Sequence, residues 1–323
     1  MARTRLYRNG VLEAEDFPPE EISAHLRDDA LTVWLDLGAP TEADLALIAS
    51  ELGLHELAVE DAVHSRQRPK LDRYDTHNYL TAYSVALDPA TGQLTTAELG
   101  MFVTDRAVVT VRPGGGFDID AVMRRWDELS HLAKNGVGFL LHGLLDYVVD
   151  THFTAVQSLD DLIEELEDTV FDEKASAPES QRRALALRKS LVTLRRVVLP
   201  MREVVNTLLR REDNAIDQAM VPYFQDVFDH VLRASEWTES LRDLVTTIRE
   251  TQLSIQGNRL NLIMKKVTGW AAIIAVPTAI TGFYGQNIPY PGLGQPWGFW
   301  VSAGSILLVG GGLYALFKHR DWL

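Results

Sequence analysis

One stretch of the sequence combines small side chains with oxygen-bearing ones at a helical spacing. Ten residues follow one another at alternating intervals of four and three: Glu250, Ser254, Gly257, Asn261, Met264, Thr268, Ala271, Ala275, Thr278 and Gly282. On an α-helix this spacing aligns them in one longitudinal stripe, called here the small-residue stripe. Asn261 and Thr278 would offer neutral oxygens along it, and Met264 would form an apolar constriction.

The small-residue stripe has two interpretations, and its spacing alone favours neither. Small residues let two helices pack closely in lipid, which is a common structural arrangement. The same stripe could instead line a water-filled pore. In that case identical helices from several copies must surround an axis in a closed homo-oligomer, because a single pair of spans cannot enclose a polar path.

Two uncharged segments near the C-terminus must position this stripe. Residues 267–284 and 297–317 contain no Asp, Glu, Lys or Arg. A hydrocarbon core of about 30 Å requires roughly 20 apolar residues of helix, so both segments are long enough to span it. The sequence therefore predicts two transmembrane helices, 267–284 and 297–317, joined by a loop over 285–296.

The distribution of cations predicts the orientation of these helices. Lys265 and Lys266 precede the first span, the tail 318–323 begins with Lys318, and the loop 285–296 carries no charge. Positive residues stay on the cytoplasmic side of a membrane. We therefore expect a multi-pass protein of the cell (inner or plasma) membrane with both termini in the cytoplasm and the loop outside.

Composition narrows the classes of function. The 323 residues include 31 Lys and Arg against 45 Asp and Glu, a net charge of −14, which argues against a nucleic-acid partner. The sequence has no cysteine, so disulfides and thiolate metal sites are excluded. It begins without an apolar segment of the signal-peptide type, so no cleaved signal is expected. Phosphate-binding glycine loops, zinc-protease motifs and nucleophile elbows are missing, and we predict neither an enzyme nor a cofactor.

The N-terminal residues 1–117 are predicted to form an α/β domain. Strands are expected over 31–38, 77–87, 97–105 and 106–113, and helices over 41–52 and 55–63. Thr41 and Asp44 are placed as a capping box that starts the first helix. Three histidines in this region, His55, His64 and His77, lack the spacing of metal ligands and are interpreted as packed or surface residues.

Long helices are predicted to follow. Residues 118–216 form a hairpin region with two helices, one over 138 to about 174 and one over 179 to about 213. The first helix is acidic and the second is basic. We interpret the pair as a salt-bridged hairpin rather than a surface that attracts cations. A stalk over 217–266 continues into the first span, giving one helix of about 60 residues that starts near Pro222. Apolar residues at every seventh position of this helix define the heptad seam: Val227, Ala234, Leu241, Ile248, Ile255 and Leu262.

Several segments together resemble the CorA family of divalent-cation channels. They are His55-Glu56-Leu57 with Glu60-Asp61, Arg66-Gln67-Arg68-Pro69-Lys70, Leu199-Pro200-Met201-Arg202-Glu203, 221–227, Tyr284-Gly285-Gln286-Asn287, and the basic, Trp-containing end 318–323. This resemblance implies an α+β fold: a cytoplasmic α/β domain, a long-helix stalk and two C-terminal transmembrane helices in a funnel-shaped homo-oligomer, a pentamer. The resemblance also implies a pore whose lumen is lined by Asn261, Met264, Thr268 and Thr278.

The resemblance also implies where cations bind. The family has Gly-Met-Asn after the first span, where this chain has Gly285-Gln286-Asn287, and Asn287 with neighbouring carbonyls is implied to hold a hydrated cation at the outer mouth. Asp88 and Asp226 fall at positions that bind regulatory divalent cations between subunits. The alternative is that they are ordinary surface carboxylates, and Asp88 precedes Pro89 in a turn where aspartate is favoured locally.

The resemblance predicts a channel that imports Mg²⁺ and is gated by intracellular divalent cation. Gln286 departs from the family pattern, and the outer loop lacks acidic residues. A transporter of Zn²⁺, or of Co²⁺ or Ni²⁺, with possible proton coupling is therefore the alternative. A membrane-anchored metal sensor without transport is the third hypothesis; it would tolerate loss of Asn287.

Overall fold

A computed structural model describes residues 2–64, 67–171, 177–210, 216–286 and 289–322. It divides into two compact units, Met1–Thr247 and Ile248–Leu323. The strands of the first unit are β1 Ala2–Arg8, β2 Val11–Glu15, β3 Leu31–Gly38, β4 Lys70–Arg73, β5 Asn78–Asp88, β6 Gln93–Val103 and β7 Ala107–Arg112. The helices are α1 Ile22–His25, α2 Glu42–Leu52, α3 Glu56–Val63, α4 Ile119–Glu128, α5 Val137–Phe171, α6 Ala177–Leu209, α7 Val221–Tyr284 and α8 Pro296–His319.

The strands form one mixed sheet in the order β2-β1-β3-β7-β6-β5-β4. β3 and β7 pair in parallel, whereas the other neighbours are antiparallel. Side chains of a strand alternate between the two faces of a sheet, so each strand contributes to two layers. On one face Val33, Leu35 and Leu37 pack with α2 and α3 in a buried apolar core. On the other face Trp34 meets Trp126 of α4 edge to face.

The sequence predicted β3, β5, β6 and β7 but missed the two edge strands, β2 and β4, and β1 next to the edge. β3 lies at 31–38 as expected, and the three other predicted strands are found at 78–88, 93–103 and 107–112. β1, β2 and β4 were not predicted because charged residues interrupt their apolar pattern. Arg5 of β1, for example, is buried and is paired with Glu15 and Asp127.

Local signals predicted the short helices α2 and α3 correctly, whereas α1 was not predicted. The Thr41 hydroxyl accepts from the Asp44 amide at 3.2 Å, and the Asp44 carboxylate accepts from the Thr41 amide at 2.8 Å, which confirms the predicted capping box. His55 Nδ1 accepts from the Leu57 amide at the start of α3. His77 is buried and stacks on Tyr74. Both histidines therefore have the packing roles that the sequence indicated.

The long helices also match the prediction in number and extent within the described residues. Arg183 of α6 pairs with Glu165 of α5, as expected for oppositely charged helices in a hairpin. α7 is continuous from Val221 to Tyr284, 64 residues, and includes Pro277 in its interior. The first four positions of the heptad seam are at most 5% exposed, whereas Ile255 and Leu262 are 43% and 53% exposed within one chain.

A buried histidine links α5 to the sheet and predicts how stability depends on pH. His152 is fully buried, its Nε2 donates to the Tyr83 carbonyl at 2.7 Å, and burial lowers its pKa to about 4. The unfolded chain, with a histidine pKa of about 6.5, binds this proton first as pH falls. We expect the free energy of unfolding to decrease by about 3 kcal/mol between pH 6.5 and 4 from this residue alone.

Denaturant titrations of the detergent-purified protein at several pH values measure this loss. His152→Gln keeps a donor for the Tyr83 carbonyl and cannot take up a proton, so it serves as the matched variant. The slope of stability against pH should be shallower in His152→Gln than in the parent protein. Equal slopes in the two proteins would mean that His152 does not contribute to the loss.

Candidate ion pathway and metal-binding residues

The second unit exposes the small-residue stripe. Asn261, Met264, Thr268 and Thr278 are all exposed, and Met264 is 62% exposed. The half-buried positions of this part of α7 lie elsewhere on its circumference: Ala272, Ile273, Val276, Pro277 and Ile280. At 3.6 residues per turn the centres of these two faces are about 150° apart. Apart from Gly257, which is half-buried, the stripe is exposed in one chain and lies away from the half-buried face.

α8 contacts α7 through an aromatic pair. The Trp270 and Tyr314 rings approach to 6.4 Å between centroids. The most apolar 18-residue windows of α7 and α8 are only 6% and 0% buried among the described residues. Such exposed apolar surface requires lipid or another chain to cover it, because a core helix of a soluble protein would be mostly buried. Both helices are long and apolar enough to cross a membrane.

Three of the predicted pore-lining residues share one groove. Asn261, Met264 and Thr268 line an open groove of about 560 Å³ together with Lys265 and other residues of the second unit. Thr278 lies further along the same helix. Its hydroxyl donates a hydrogen bond to the Ile274 carbonyl at 3.0 Å, so the hydroxyl proton is engaged by the backbone. The oxygen lone pairs of Thr278 are then available to accept hydrogen bonds from water around a cation.

The predicted selectivity motif begins where α7 ends. The Gly285 amide donates to the Thr281 carbonyl at 2.8 Å, and a β-carbon at Gly285 would lie 3.0 Å from that oxygen. The position therefore favours glycine because the backbone turns closely over the helix end. Gln286 is exposed, and Asn287 lies outside the described residues.

The loop after the motif is anchored to the end of α7. The Tyr290 hydroxyl donates to the Tyr284 carbonyl at 2.8 Å, which satisfies one of the carbonyls left free at a helix C-terminus. The rings of Tyr284 and Tyr290 pack edge to face at 5.2 Å. This contact fixes the described part of the loop against the helix that precedes Gly285 and Gln286.

Asp88, the first predicted regulatory residue, has a local structural role. One carboxylate oxygen accepts from the Thr91 hydroxyl at 2.7 Å and the other from the Ala90 amide at 2.9 Å. These hydrogen bonds lower the pKa of the Asp88 carboxyl. The side chain remains exposed, so each oxygen keeps a lone pair that could bind a cation.

Asp226, the second predicted regulatory residue, lies beside a group of side chains that the sequence analysis missed. Its carboxylate is 68% exposed and one oxygen lies 3.7 Å from Nδ1 of His230, one turn further along α7. His230, Asp146 and Asp150 each place one potential metal-ligand atom within 4.8 Å of the other two. We call these three residues the Asp-Asp-His cluster.

Arg125 of α4 forms ion pairs with the two carboxylates of this cluster. Its guanidinium contacts Asp146 through one nitrogen and Asp150 at 2.7 Å through the other. Burial raises the pKa of the Asp146 carboxyl, and Arg125 opposes that shift. The site thus contains a positive charge supplied by the chain itself, held between two carboxylates that would otherwise repel each other.

A sequence signal for this cluster existed. His142, Asp146 and Asp150 recur every fourth residue within an apolar stretch, LLHGLLDYVVD, and this spacing places them on one face of a helix. Polar groups on a buried face need partners, so the pattern indicates a polar site. His230 and Arg125 are distant in sequence, and their participation could be learned only from the fold.

Comparison with known proteins then decides the family. Residues 29–319 match the family model for the CorA-like Mg²⁺ transporter protein. The chain belongs to this family. CorA-family proteins are transporters of divalent cations, not enzymes, and the chain is accordingly a divalent-cation transporter.

Individual relatives cover nearly the whole chain. The cobalt/magnesium transport protein CorA of Thermotoga maritima is 28% identical over 97% of this chain and 90% of that protein. The zinc transport protein ZntB of Yersinia enterocolitica is 25% identical over 90% of this chain and 88% of its own length. The solved CorA magnesium transporter from Methanocaldococcus jannaschii matches with a TM-score of 0.79 at 22% identity, covering 100% of this chain and 99% of that one. The predicted fold class is confirmed.

Proposed function

We propose that this CorA-family transporter is a channel that imports Mg²⁺ down its electrochemical gradient. The observation that carries the proposal is the position of the small-residue stripe on α7, exposed and about 150° from the half-buried face. Copies of α7 arranged around one axis would direct this stripe into a common lumen and leave α8 outside. Backbone and polar groups need partners within a membrane, so one chain alone cannot form this path. Five copies are proposed, as the resemblance to the family implies.

The proposed channel lies in the inner or plasma membrane. Residues 267–284 and 297–317 are the spans, and residues 1–117, 118–216 and 217–266 form the cytoplasmic part. Lys265, Lys266 and the basic tail 318–323 then lie on the cytoplasmic side, where positive residues are retained. The uncharged loop 285–296 faces outward and presents Gly285, Gln286 and Asn287 to entering cations.

The lining residues favour a hydrated Mg²⁺ ion. Between Thr251 and Asn287 the sequence contains no Asp, Glu, His or Cys. Mg²⁺ releases its water reluctantly, so neutral oxygens that contact its hydration shell suit it. Zn²⁺ is held by nitrogen, sulfur or carboxylate ligands. The amide of Asn261 and the hydroxyl of Thr278 are oxygens of the first kind, and Met264 and Thr268 complete the lining.

Zn²⁺ transport is the second candidate. Gln286 replaces the methionine of the family motif, and a relative named as a zinc transport protein aligns with most of this chain. A proton-coupled zinc transporter would share the architecture described above. The two candidates therefore differ in selectivity and pH dependence, not in fold.

Flux through reconstituted protein separates these functions. Purified protein in liposomes should carry Mg²⁺ inward when a negative internal potential is applied, and excess Zn²⁺ should reduce that flux only weakly. A proton gradient alone should have no effect on it. Flux of Zn²⁺ driven by a proton gradient, without Mg²⁺ flux, would contradict the magnesium proposal and support the alternative. No flux of either ion would favour a membrane-anchored sensor.

We further propose that intracellular divalent cations close the channel by binding at Asp88 and Asp226 of neighbouring subunits. Carboxylates from two chains are drawn together by a bound cation and repel each other without it. Asp226 is exposed and adjoins the Asp-Asp-His cluster, so a cation reaching this surface meets several ligands. The channel would then respond to the concentration of the ion that it imports.

Asp226→Lys is expected to weaken this closure. A lysine places a positive charge where the cation would bind, so the internal Mg²⁺ concentration for half-closure should rise roughly tenfold or more, which corresponds to about 1.4 kcal/mol. Flux into liposomes preloaded with increasing Mg²⁺ measures the shift. Asp229→Lys, an exposed position on the same helix, is the matched control. Unchanged closure in Asp226→Lys would remove this residue from the regulatory site.

A further inference from the structure

The described part of the loop between α7 and α8 is folded against the start of α8. The Leu293 amide donates to the Tyr290 carbonyl at 3.1 Å, which closes a turn whose third residue is Gly292. Gly292 has a φ of 95°, a conformation that favours glycine, and a β-carbon there would lie 3.0 Å from the Trp297 ring. Gly298, in the first turn of α8, is buried, and a β-carbon there would lie 2.5 Å from the Gly292 carbonyl oxygen. The loop and α8 therefore meet backbone to backbone at these two glycines.

Tyr290 attaches the same loop to the end of α7. Its hydroxyl donates to the Tyr284 carbonyl, and its ring packs edge to face on the Tyr284 ring. The Phe283 ring lies 6.3 Å away between centroids, and Tyr290 is half-buried. A tyrosine in such a position combines an apolar ring with a hydroxyl that needs a partner. The loop is therefore held by α8 at one end and by α7 at the other.

The peptide that joins α7 to the predicted selectivity motif is hydrogen-bonded through both of its polar groups. Its carbonyl, that of Tyr284, accepts from the Tyr290 hydroxyl at 2.8 Å. Its amide, that of Gly285, donates to the Thr281 carbonyl at 2.8 Å. Because a peptide unit is planar, these two hydrogen bonds fix the orientation of its plane. The Tyr290 hydroxyl thus restricts the direction in which the chain leaves α7, at a glycine that would otherwise allow many directions.

We propose that Tyr290 is a positioning residue that holds the outer mouth of the ion pathway in the geometry that captures a hydrated cation. Tyr290 acts through the peptide that joins Tyr284 to Gly285, not by contact with the ion. A hydrated ion is recognised through hydrogen bonds to its water shell, and such a site must be held within about 0.5 Å of its productive geometry. This inference rests on the proposed function, in which residues 285–287 meet the entering cations.

The external Mg²⁺ concentration that gives half-maximal flux into liposomes measures capture at the mouth. Tyr290→Phe keeps the ring and removes the hydroxyl, so the half-saturating concentration should rise at least about fivefold, with a smaller change in maximal flux. Tyr290→Ala also removes the ring packing and should raise it about tenfold or more. A purely structural role would instead lower the maximal flux, through fewer folded channels, and leave the half-saturating concentration unchanged.

The second unit offers matched controls. Tyr314 of α8 is 42% exposed, and its hydroxyl has no hydrogen-bond partner in the part of the chain that the structure describes. Tyr314→Phe should therefore leave half-saturation unchanged. Gly292→Ala places a β-carbon against Trp297 and should raise the half-saturating concentration, as Tyr290→Phe does. Gly294 also has a positive φ, 75°, but a β-carbon there meets no atom within 4 Å, so Gly294→Ala should behave like the parent protein.

A nitroxide label at position 286 tests the positioning without transport. The chain has no cysteine, so Gln286→Cys provides a single labelling site. The electron paramagnetic resonance spectrum should show a more mobile label in Tyr290→Phe than in the parent, and a still more mobile one in Tyr290→Ala. An unchanged label, or an unchanged half-saturating concentration, in both Tyr290 variants would overturn the proposal.

The flux of the parent protein separates this inference from the proposed function. If the parent carries Zn²⁺ and not Mg²⁺, the magnesium proposal fails, and the same half-saturation measurements with Zn²⁺ test Tyr290. If the parent carries neither ion, the transport proposal fails and the mobility of the label decides. A rise in half-saturation together with a more mobile label in both Tyr290 variants would support the positioning role.

Discussion

Asn287→Ala is expected to abolish divalent-cation uptake without preventing assembly. Each copy would lose an amide that contacts the hydrated ion, and a hydrogen bond contributes about 1 kcal/mol. Because every copy in the ring carries the change, the combined loss reaches several kcal/mol, a decrease in flux of more than about 100-fold. Uptake into liposomes under a negative internal potential measures the effect, and gel filtration in detergent reports assembly.

Gln295→Ala provides the matched control for this variant. Gln295 is an exposed amide in the same loop, and its side chain makes no capping hydrogen bond to α8. Removing it should leave uptake close to that of the parent protein. Normal uptake by a correctly assembled Asn287→Ala protein would remove Asn287 from the ion path. It would also favour the hypothesis of a membrane-anchored sensor, which does not need this residue.

Ala275→Phe is expected to block the pore. Ala275 is an exposed member of the small-residue stripe within the first span. A phenylalanine side chain adds a large apolar surface, on the order of 150–250 Å². One ring from every copy would fill a lumen that the parent lines with small groups, so we expect uptake to fall at least about tenfold. Flux in the same liposome assay measures the decrease.

Leu308→Phe controls for the effect of introducing a phenylalanine side chain into a transmembrane helix away from the stripe. Leu308 of α8 is 77% exposed and is already large and apolar, so the ring should be accepted by lipid with little change in flux. If Ala275→Phe assembled and transported normally, the stripe could not line a narrow lumen. If Ala275→Phe prevented assembly while Leu308→Phe did not, the stripe would be a helix-packing face, the other interpretation of its small residues.

Much of the fold was predictable because the signals are local. The Thr41-Asp44 capping box, strand β3 and the uninterrupted α7 each depend on residues close together in sequence. Strand β1, which lies inside the sheet between β2 and β3, was not predictable because it carries Arg3 and Arg5, whose charges are neutralised by partners far along the chain, Asp120 and Asp127. A short-range pattern contains no information on such pairs.

The candidate sites also differ in whether local sequence signals could predict them. The small-residue stripe is a property of one helix, so its spacing was sufficient to find it. The Asp-Asp-His cluster combines α5 with α7, and Arg125, which pairs with its two carboxylates, comes from α4, so only the folded chain reveals it. The roles of Gly285, Gln286 and Asn287 stay predictions, as does regulation through Asp88 and Asp226, because they concern an assembly of several chains and an ion in transit.

The central claim is that the small-residue stripe of α7 faces water inside an assembly of identical chains. The sequence contains no cysteine, so single substitutions give unique labelling sites. Ala271→Cys and Thr278→Cys should react with a water-soluble, membrane-impermeant thiol reagent, because a thiol ionises in water and not in lipid. Labelling should also stop Mg²⁺ uptake. Leu308→Cys on α8 should react slowly and without effect. Inert cysteines on the stripe, or equal labelling of Leu308→Cys, would contradict the account.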